Sequence, residues 1–212
     1  MTRPTALIIG SGVAGLATAI RLAAKGYAVQ VFEAADAPGG KLAELQLGPY
    51  RFDRGPSLFT RPDLVEELFQ VAGVSMTGRF SYHKLEEANR YFWDDGTRLT
   101  GWSDPGLFAA EVERVLGVPA ERVNKHLHRA HTLLDTTGRT FLEHSLHRPA
   151  ELLRGGFMRA LTAVRPAELL RPLHAVNRSG LGDARATQLF DRFATYNGSD
   201  PYRTPGLMRM IP

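Results

Sequence analysis

The sequence has no cysteine among its 212 residues. Neither a disulfide framework nor a thiolate metal site is therefore available, which agrees with a reducing cytoplasm. Long apolar runs are also missing, because none approaches the roughly 20 residues needed to span a bilayer. The amino terminus lacks the apolar region and cleavage pattern of a secretory signal. We therefore expect a cytoplasmic protein that is soluble or bound to a membrane surface.

An excess of charge of either sign is also small. The formal net charge is +4, and the whole excess lies in residues 151–212, which hold nine basic and five acidic groups. Zinc-finger, RRM and KH signatures are absent, so we expect no nucleic-acid partner. Hydrophobic residues make up 43% of the chain, which excludes a disordered polypeptide and allows a buried core.

A glycine pattern follows directly on a strand-forming run near the amino terminus. The run at residues 5–9 meets "GSGVAG" at residues 10–15, and a helical period continues from there to Gly26. A second predicted strand, residues 28–32, ends at Glu33. Strand, glycine turn, helix and strand with a terminal acid are typical of the dinucleotide-binding unit of a Rossmann-like fold.

Each residue of this unit has a predicted role. Gly10 makes the tight bend, Gly12 lets the backbone approach a pyrophosphate, and Gly15 lets the helix lie close to the strand. Together with Ala14, these glycines present the helix N-terminus, whose free N–H groups attract a diphosphate. We expect Glu33 to accept hydrogen bonds from ribose hydroxyls, an arrangement that disfavours a 2′-phosphate.

A second pair of glycines occurs in "PGGK" at residues 38–41. An enzyme that binds a nicotinamide dinucleotide does not require this second glycine pair. FAD is held in extended form and requires a second stretch of backbone that it can approach closely. Gly40 leaves room for that approach, and Lys41 offers a positive charge. Gly55, Pro56 and Ser57 form a narrow extended segment against which a flavin ring would lie. The alternative is an ordinary turn with a surface lysine.

The middle of the chain predicts strands over residues 81–102, with a hairpin turn at Asp95-Gly96. Adjacent strand residues face opposite ways, so Asp94 and Asp95 are not expected to form a catalytic pair. Three aromatic side chains would line an apolar channel or, with equal weight, pack across the strands: Tyr91, Trp93 and Trp102.

Two helices are predicted next, over residues 105–116 and 119–134, with Asp104 capping the first. Five histidines fall in or after the second helix, but their spacing does not favour a metal site, so we expect none and interpret this helix as a solvated, partly basic one. They are His126, His128, His131, His144 and His147.

Residues 150–176 alternate leucine-rich and arginine positions in short amphipathic pieces. Such pieces favour a membrane interface, with arginines among anionic head groups. The alternative is a set of helices packed on the core of their own domain.

Three segments together resemble the phytoene desaturase family of FAD-dependent carotenoid oxidoreductases. They are "GSGVAGLATAIRLAAKGYAVQVFEAADAPGGK", "FDRGPSLFT" and "QLFDRFATYNGSDPYRTPGLM". The last, with "PSLFT", looks closest to the bacterial 1-hydroxycarotenoid 3,4-desaturase branch. Lys41 stands where many members have arginine, and Arg54 stands where the residue is often small. Members are far longer, so the chain looks like the amino-terminal part of a desaturase.

The resemblance implies an α/β fold: an incomplete, doubly wound, FAD-binding Rossmann-like domain at residues 1–78 and an α+β substrate and membrane-associating portion at residues 79–212. It also implies dehydrogenation of a long polyene, a carotenoid, with hydride passing to FAD, at a cytoplasmic membrane surface. No side chain is predicted as a catalytic base. The alternatives are another flavoprotein, such as an amine oxidase or a polyene isomerase, and a non-catalytic nucleotide-binding fragment.

Overall fold

The computed structural model describes residues 2–56, 58–138 and 162–210. Contacts within the chain divide it into two compact units, Met1–Lys84 and Leu85–Pro212. The sequence places the domain boundary between residues 78 and 79, six residues earlier. The assignment of these domains to cofactor and to substrate stays a prediction.

The first unit is built on one parallel strand pair. Strand β1 (Thr5–Ile9) runs beside strand β2 (Ala28–Phe32), with Ile9 opposite Phe32, and helix α1 (Val13–Ala24) connects them. All three elements were expected from the glycine pattern and the helical period. They form the β–α–β arrangement of a Rossmann-like fold.

The rest of the first unit is a hairpin and a helix. Strand β3 (Glu44–Leu47) pairs antiparallel with strand β4 (Tyr50–Asp53), and helix α2 (Pro62–Val71) follows. Strand β3 was not predicted from the sequence. Gly73, at φ +68°, follows the end of α2 in the left-handed conformation that glycine favours.

Much apolar surface of the first unit is uncovered. Ile9 is 93% exposed, and Leu7 and Phe32 are more than half exposed. A sheet of two strands has too little area to bury both of its faces. Within the described part of the chain, the predicted doubly wound sheet is therefore represented by this one parallel pair.

The second unit begins with a hairpin. Strand β5 (Glu87–Phe92) pairs with strand β6 (Arg98–Trp102), and the turn between them contains Gly96 at φ +84°. The turn lies where Asp95-Gly96 predicted it. The prediction that strand structure begins at residue 81 is wrong, because β5 begins at Glu87 and residues 81–86 are not in a strand.

Five helices follow the hairpin in the described part of the second unit. Asp104 Oδ1 accepts a hydrogen bond of 2.8 Å from Leu107 N, so the predicted cap begins the first of them. A π-helical turn, Leu134–Gly138, extends the second. The helices are α3 (Pro105–Leu116), α4 (Ala120–Leu133), α5 (Pro166–Leu170), α6 (Leu173–Leu181) and α7 (Ala184–Asp191).

One apolar core joins the hairpin to these helices. Side chains from β6, α3, α4, α6 and α7 are almost fully removed from water there and pack on one another. This burial is what stabilises the second unit. The core includes Leu99, Phe108, Val112, Val123, Leu181, Leu189 and Phe190.

Two predictions about surfaces need correction. Helix α4 is not solvated throughout, because His126 is only 3% exposed and packs edge to face on Phe190. Leu173, predicted among the membrane-facing residues, is fully buried in the protein's own core. Most of the amphipathic stretch at residues 150–176 lies outside the described residues, as do His144 and His147.

Leu133→Ala tests the contribution of the core. Leu133 is 0% exposed, so the substitution removes buried apolar area and leaves a cavity. We expect a loss of about 2–5 kcal/mol in the free energy of unfolding of the second unit, measured by urea titration. The control is Leu134→Ala, because the neighbouring side chain is 42% exposed. Equal losses for the two variants would contradict the assignment of Leu133 to the core.

Candidate functional site

The turn between β1 and α1 depends on two close backbone approaches. Gly10 N donates a 2.7 Å hydrogen bond to Phe32 O, and Gly10 has φ +94°. A Cβ atom on Gly15 would lie 2.1 Å from Gly10 O, so only glycine allows α1 to start this close to the end of β1. The helix N-terminus is thereby fixed beyond the carboxyl end of the strand.

Glu33 is bonded to this turn. Its Oε2 accepts hydrogen bonds of 2.7 Å from both Ser11 N and Ser11 Oγ. Its Oε1 accepts from Ala34 N at 2.9 Å and from Ala35 N at 3.0 Å. A carboxylate offers about four acceptor sites. The four hydrogen bonds from the protein already use these sites. Ribose hydroxyls would therefore share the Glu33 carboxylate with these donors or displace the Ser11 hydroxyl.

These hydrogen bonds change the acidity of Glu33. The N–H groups of Ala35 and Ser11 and the Ser11 hydroxyl stabilise the charged form and lower the pKa of Glu33 to about 2. The side chain is thus a carboxylate at any physiological pH. A negative charge at this position disfavours a phosphorylated ribose.

The second glycine pair packs against the first turn. Gly39 N donates a 2.9 Å hydrogen bond to Ser11 O. Gly40 has φ +62°, and a Cβ atom there would lie 3.2 Å from the Cα of Gly12. The backbone of the "PGGK" segment therefore needs glycine for its own conformation and for contact with the first turn, whatever it contacts besides.

The flavin-loop residues predicted from the sequence adjoin this segment. A Cβ atom on Gly55 would lie 2.0 Å from Lys41 O, so the two loops touch through their backbones. Gly40, Arg54 and Pro56 line one cavity of about 610 Å³, the loop cavity, whereas Lys41 is exposed and does not line it. Ser57 lies outside the described residues.

The first turn offers space for a diphosphate. Gly12 has φ −68°, and from the position of its Cβ the nearest atoms are Gly39 O and Gly40 Cα, both at 4.0 Å. A side chain would fill that space. The N–H groups of Val13 and Ala14, in the first turn of α1, have no intrahelical acceptor and favour an anion there. The residues present fit the diphosphate of a dinucleotide.

A second cavity lies wholly within the second unit. This apolar cavity has a volume of about 710 Å³, and five of the residues that line it are Phe, Tyr or Trp. Two of the three predicted channel aromatics line it, whereas Trp93 lies against Tyr91 and donates a 2.9 Å hydrogen bond to Gln188. Among the lining residues are Tyr91, Trp102, Phe108, Leu127, Phe190 and Phe193.

One histidine cluster was not predicted from the sequence. His174 Nδ1 and Asp191 Oδ2 are 2.6 Å apart, and Asn177 Nδ2 donates to Asp191 Oδ1 at 2.8 Å. The carboxylate therefore orients the imidazole ring of His174. No local spacing signals this cluster, because the packing of α6 on α7 brings it together. Within the described residues, no three His, Asp or Glu side chains are arranged to hold a metal ion.

Comparison with known proteins agrees with this geometry. Residues 8–73 match the family model of an NAD(P)-binding Rossmann-like domain. The chain is 42% identical over 207 residues to a 1-hydroxycarotenoid 3,4-desaturase of Flavobacterium sp. (strain P99-3), covering 98% of this chain and 42% of the relative. The chain is a homologue of the carotenoid desaturases.

Further relatives are of the same kind. A hydroxyneurosporene desaturase of Cereibacter sphaeroides is 32% identical, covering 98% of the chain and 42% of the relative. A phytoene desaturase of Cercospora nicotianae is 31% identical, covering 99% and 34%. The predicted resemblance and the Rossmann-like fold class are confirmed. This desaturase homologue spans about two fifths of the length of the first two relatives and about a third of the last.

Gly12→Ala and Gly15→Ala separate nucleotide binding from folding. At Gly12 the added methyl group has space in the protein but occupies the predicted diphosphate position. We expect an unchanged melting temperature and dinucleotide binding at least about tenfold weaker. At Gly15 the methyl group collides with Gly10 O. We expect that variant to lose about 1–3 kcal/mol of stability.

The two variants are compared by circular-dichroism melting and by chromatography of nucleotide released on heating. Wild-type levels of bound nucleotide in folded Gly12→Ala protein would contradict the predicted position of the diphosphate. Normal stability of Gly15→Ala would contradict the close contact between α1 and β1.

Glu33→Gln tests the carboxylate that holds the turn. Because the folded-state pKa is depressed from 4.5 to about 2, the stabilisation is present above about pH 4.5 and is lost as the pH falls toward 2. We expect the melting temperature of the wild type to exceed that of the variant by a constant amount between about pH 5 and 8, and the gap to close below about pH 4.5.

The control for this measurement is Asp36→Asn. Asp36 is exposed in the same region, and no hydrogen bond to its side chain is found in the described part of the chain. We expect this substitution to produce no gap of that kind. A wild-type advantage over Glu33→Gln that persists unchanged at low pH would refute the interpretation.

Proposed function

We propose that the protein to which this chain belongs is an FAD-dependent carotenoid desaturase, which introduces a carbon–carbon double bond into a long polyene. The observation that carries the proposal is the β1–α1–β2 unit, with an open diphosphate position at Gly12 and Glu33 bonded to the turn, in a chain homologous to carotenoid desaturases. When bound, FAD supplies a ring that accepts a hydride from an allylic carbon.

The second glycine pair supports FAD over a nicotinamide dinucleotide. Gly39 and Gly40 extend the strip of close backbone beyond the first turn, and the loop cavity continues it to Pro56. A longer strip of this kind suits a cofactor held along its whole length. We assign Gly10, Gly12, Ala14 and Gly15 to the diphosphate and Glu33 to the ribose.

The remaining predicted residues belong to the other half of the cofactor in this proposal. Gly40 and Lys41 adjoin the second strip, and Gly55, Pro56 and Ser57 lie beside the flavin. Arg51 lines the loop cavity but is paired with Glu44 at 2.7 Å and Asp53 at 3.1 Å, so its charge is already balanced. Lys41 is exposed outside the loop cavity, and its proposed contact with a phosphate group rests on its place beside the second glycine pair.

The apolar cavity of the second unit is the proposed site for part of the polyene. Tyr91 and Trp102 line it, and the buried side chains of Phe108 and Phe190 form part of its wall. A conjugated chain would bury its surface against these rings and lose contact with water. Burial raises the pKa of Tyr91, which keeps its hydroxyl neutral beside an apolar ligand.

We also propose that the protein takes its water-insoluble substrate from a membrane surface. In the described part of residues 150–176, Leu169 is 52% and Leu170 83% exposed, with Arg165 and Arg171 close in sequence. Exposed leucines flanked by arginines suit an anionic lipid interface. No helix in the described residues has the length and apolar character required to cross a bilayer.

The test is to purify the protein, record the visible absorption of bound flavin, and supply a hydroxylated carotenoid in liposomes with an electron acceptor. We expect bound FAD and a product whose absorption lies at longer wavelength. Tyr91→Ala should lower kcat/KM by about tenfold, because a ring that contacts the polyene is lost. Phe92→Ala should have an effect within about twofold.

Phe92 is the matched control because it follows Tyr91 in β5, is 65% exposed and does not line the apolar cavity. Equal losses of kcat/KM for Tyr91→Ala and Phe92→Ala would contradict the proposal that the apolar cavity binds the polyene. Bound FAD without a new chromophore would favour another flavoprotein, such as an amine oxidase or a polyene isomerase. Absence of flavin would favour a chain that binds nucleotide without catalysis.

A further inference from the structure

A third cavity, of about 520 Å³, lies in the second unit and has mostly charged walls. We name it the basic cavity. Side chains from α4, α5 and α6, and from the 3₁₀ turn Gly206–Met210, line it. Its charged lining residues are six bases and two acids: Arg122, Lys125, Arg129, Arg165, Arg171, Arg209, Glu121 and Glu168.

The buried carboxylate of Glu168 is already committed to one arginine. Arg129 Nε donates to Glu168 Oε1 at 2.8 Å and Arg129 Nη2 donates to Oε2 at 2.5 Å, a bidentate pair. Arg165 N also donates to Oε2, at 2.9 Å. Burial raises the pKa of Glu168, but the bonds from Arg129 and from Arg165 N outweigh it and lower that pKa, so the side chain stays ionised.

Arg209 has no such partner. Its side chain is 10% exposed, and its nearest carboxylate contact is 3.8 Å, from Nη1 to Glu168 Oε1. Nη2 lies 2.9 Å from His126 Nδ1 and 3.3 Å from His126 O. Within the described residues, the buried Nε of Arg209 has no hydrogen-bond partner.

His126 does not supply the missing negative charge. Burial, with Arg209 nearby, lowers the pKa of His126 to about 3, so the imidazole is neutral and Nδ1 can accept a hydrogen bond from Arg209 Nη2. The guanidinium of Arg209 is therefore a buried charge that is paired only weakly. Such a charge is costly unless an anion joins it.

We propose that the basic cavity binds a phosphate group, either free phosphate or the phosphate of an anionic lipid headgroup. Arg209 would donate to the phosphate at the floor of the cavity. Lys125 and Arg165 are exposed on its rim and bring further positive charge without a carboxylate partner among the described residues. Arginine and lysine are the side chains that usually bind phosphate.

The site is separate from the proposed polyene site, although both use α4. Asn124, Leu127, His128 and His131 of this helix line the apolar cavity. Residues on its other side line the basic cavity, among them Lys125 and Arg129. Phosphate binding is thus independent of the desaturase proposal. A result that refutes one of the two leaves the other standing.

The experiment titrates inorganic phosphate into the full chain by calorimetry at low ionic strength. We expect saturable binding that weakens as NaCl is added, because the site is held by charge. Arg209→Met should weaken binding at least about tenfold, since one charge-assisted contact is lost. If that variant does not fold, Lys125→Glu tests the proposal, because the Lys125 side chain is exposed and its substitution leaves the core intact. We expect Lys125→Glu to weaken phosphate binding at least about fivefold.

The matched control is Arg203→Glu. It makes the same type of charge reversal at an exposed residue of the second unit that does not line the basic cavity. We expect its phosphate affinity to stay within about twofold of that of the wild type. An equal loss in Arg203→Glu and Lys125→Glu would overturn the proposal, because the effect would then follow overall charge and not the cavity.

A second arm identifies the source of the phosphate. Vesicles of phosphatidylglycerol or phosphatidylcholine are sedimented with each variant, with and without inorganic phosphate as competitor. Vesicle binding that requires phosphatidylglycerol, is lost in Lys125→Glu and is competed by phosphate assigns the site to a lipid headgroup. Phosphate binding with no such vesicle dependence assigns it to free phosphate. Absence of both would refute the site.

Discussion

The first unit depends on one carboxylate that accepts hydrogen bonds from backbone and hydroxyl donors. Glu33 closes the end of β2 over the turn after β1, through Ser11 on one oxygen and Ala34 and Ala35 on the other. The turn, the start of α1 and the loop at Gly39 all take their positions from this arrangement. Without it, the open space beside Gly12 would not lie at a fixed helix N-terminus.

Close approach of one backbone to another is the second constraint on this unit. Gly15 lies against Gly10 and Gly55 against Lys41, each at a distance that excludes a Cβ atom. The glycines therefore serve the packing of the protein on itself first. A dinucleotide would lie along surfaces that this packing has already made narrow and free of side chains, which reduces the ordering required on binding.

Local signals were sufficient to predict much of the fold. The glycine turn, the Asp104 cap and the Asp95-Gly96 turn act on neighbouring residues, so the sequence alone reveals them. Strand β3 escaped prediction because "ELQL" is short and has no β-branched residue. The contacts of Glu168 and of His174 join distant segments through helix packing. The spacing of residues in the sequence does not indicate such contacts, so neither the Glu168 cluster nor the His174 cluster was predicted.

Helix α4 has the apolar cavity on one side and the basic cavity on the other. A rigid helix cannot tilt toward one side without withdrawing from the other. A ligand that shifted the backbone of α4 toward the basic cavity would therefore widen the space beside Leu127. The apolar cavity and the basic cavity thus share the backbone of α4, although no residue lines both.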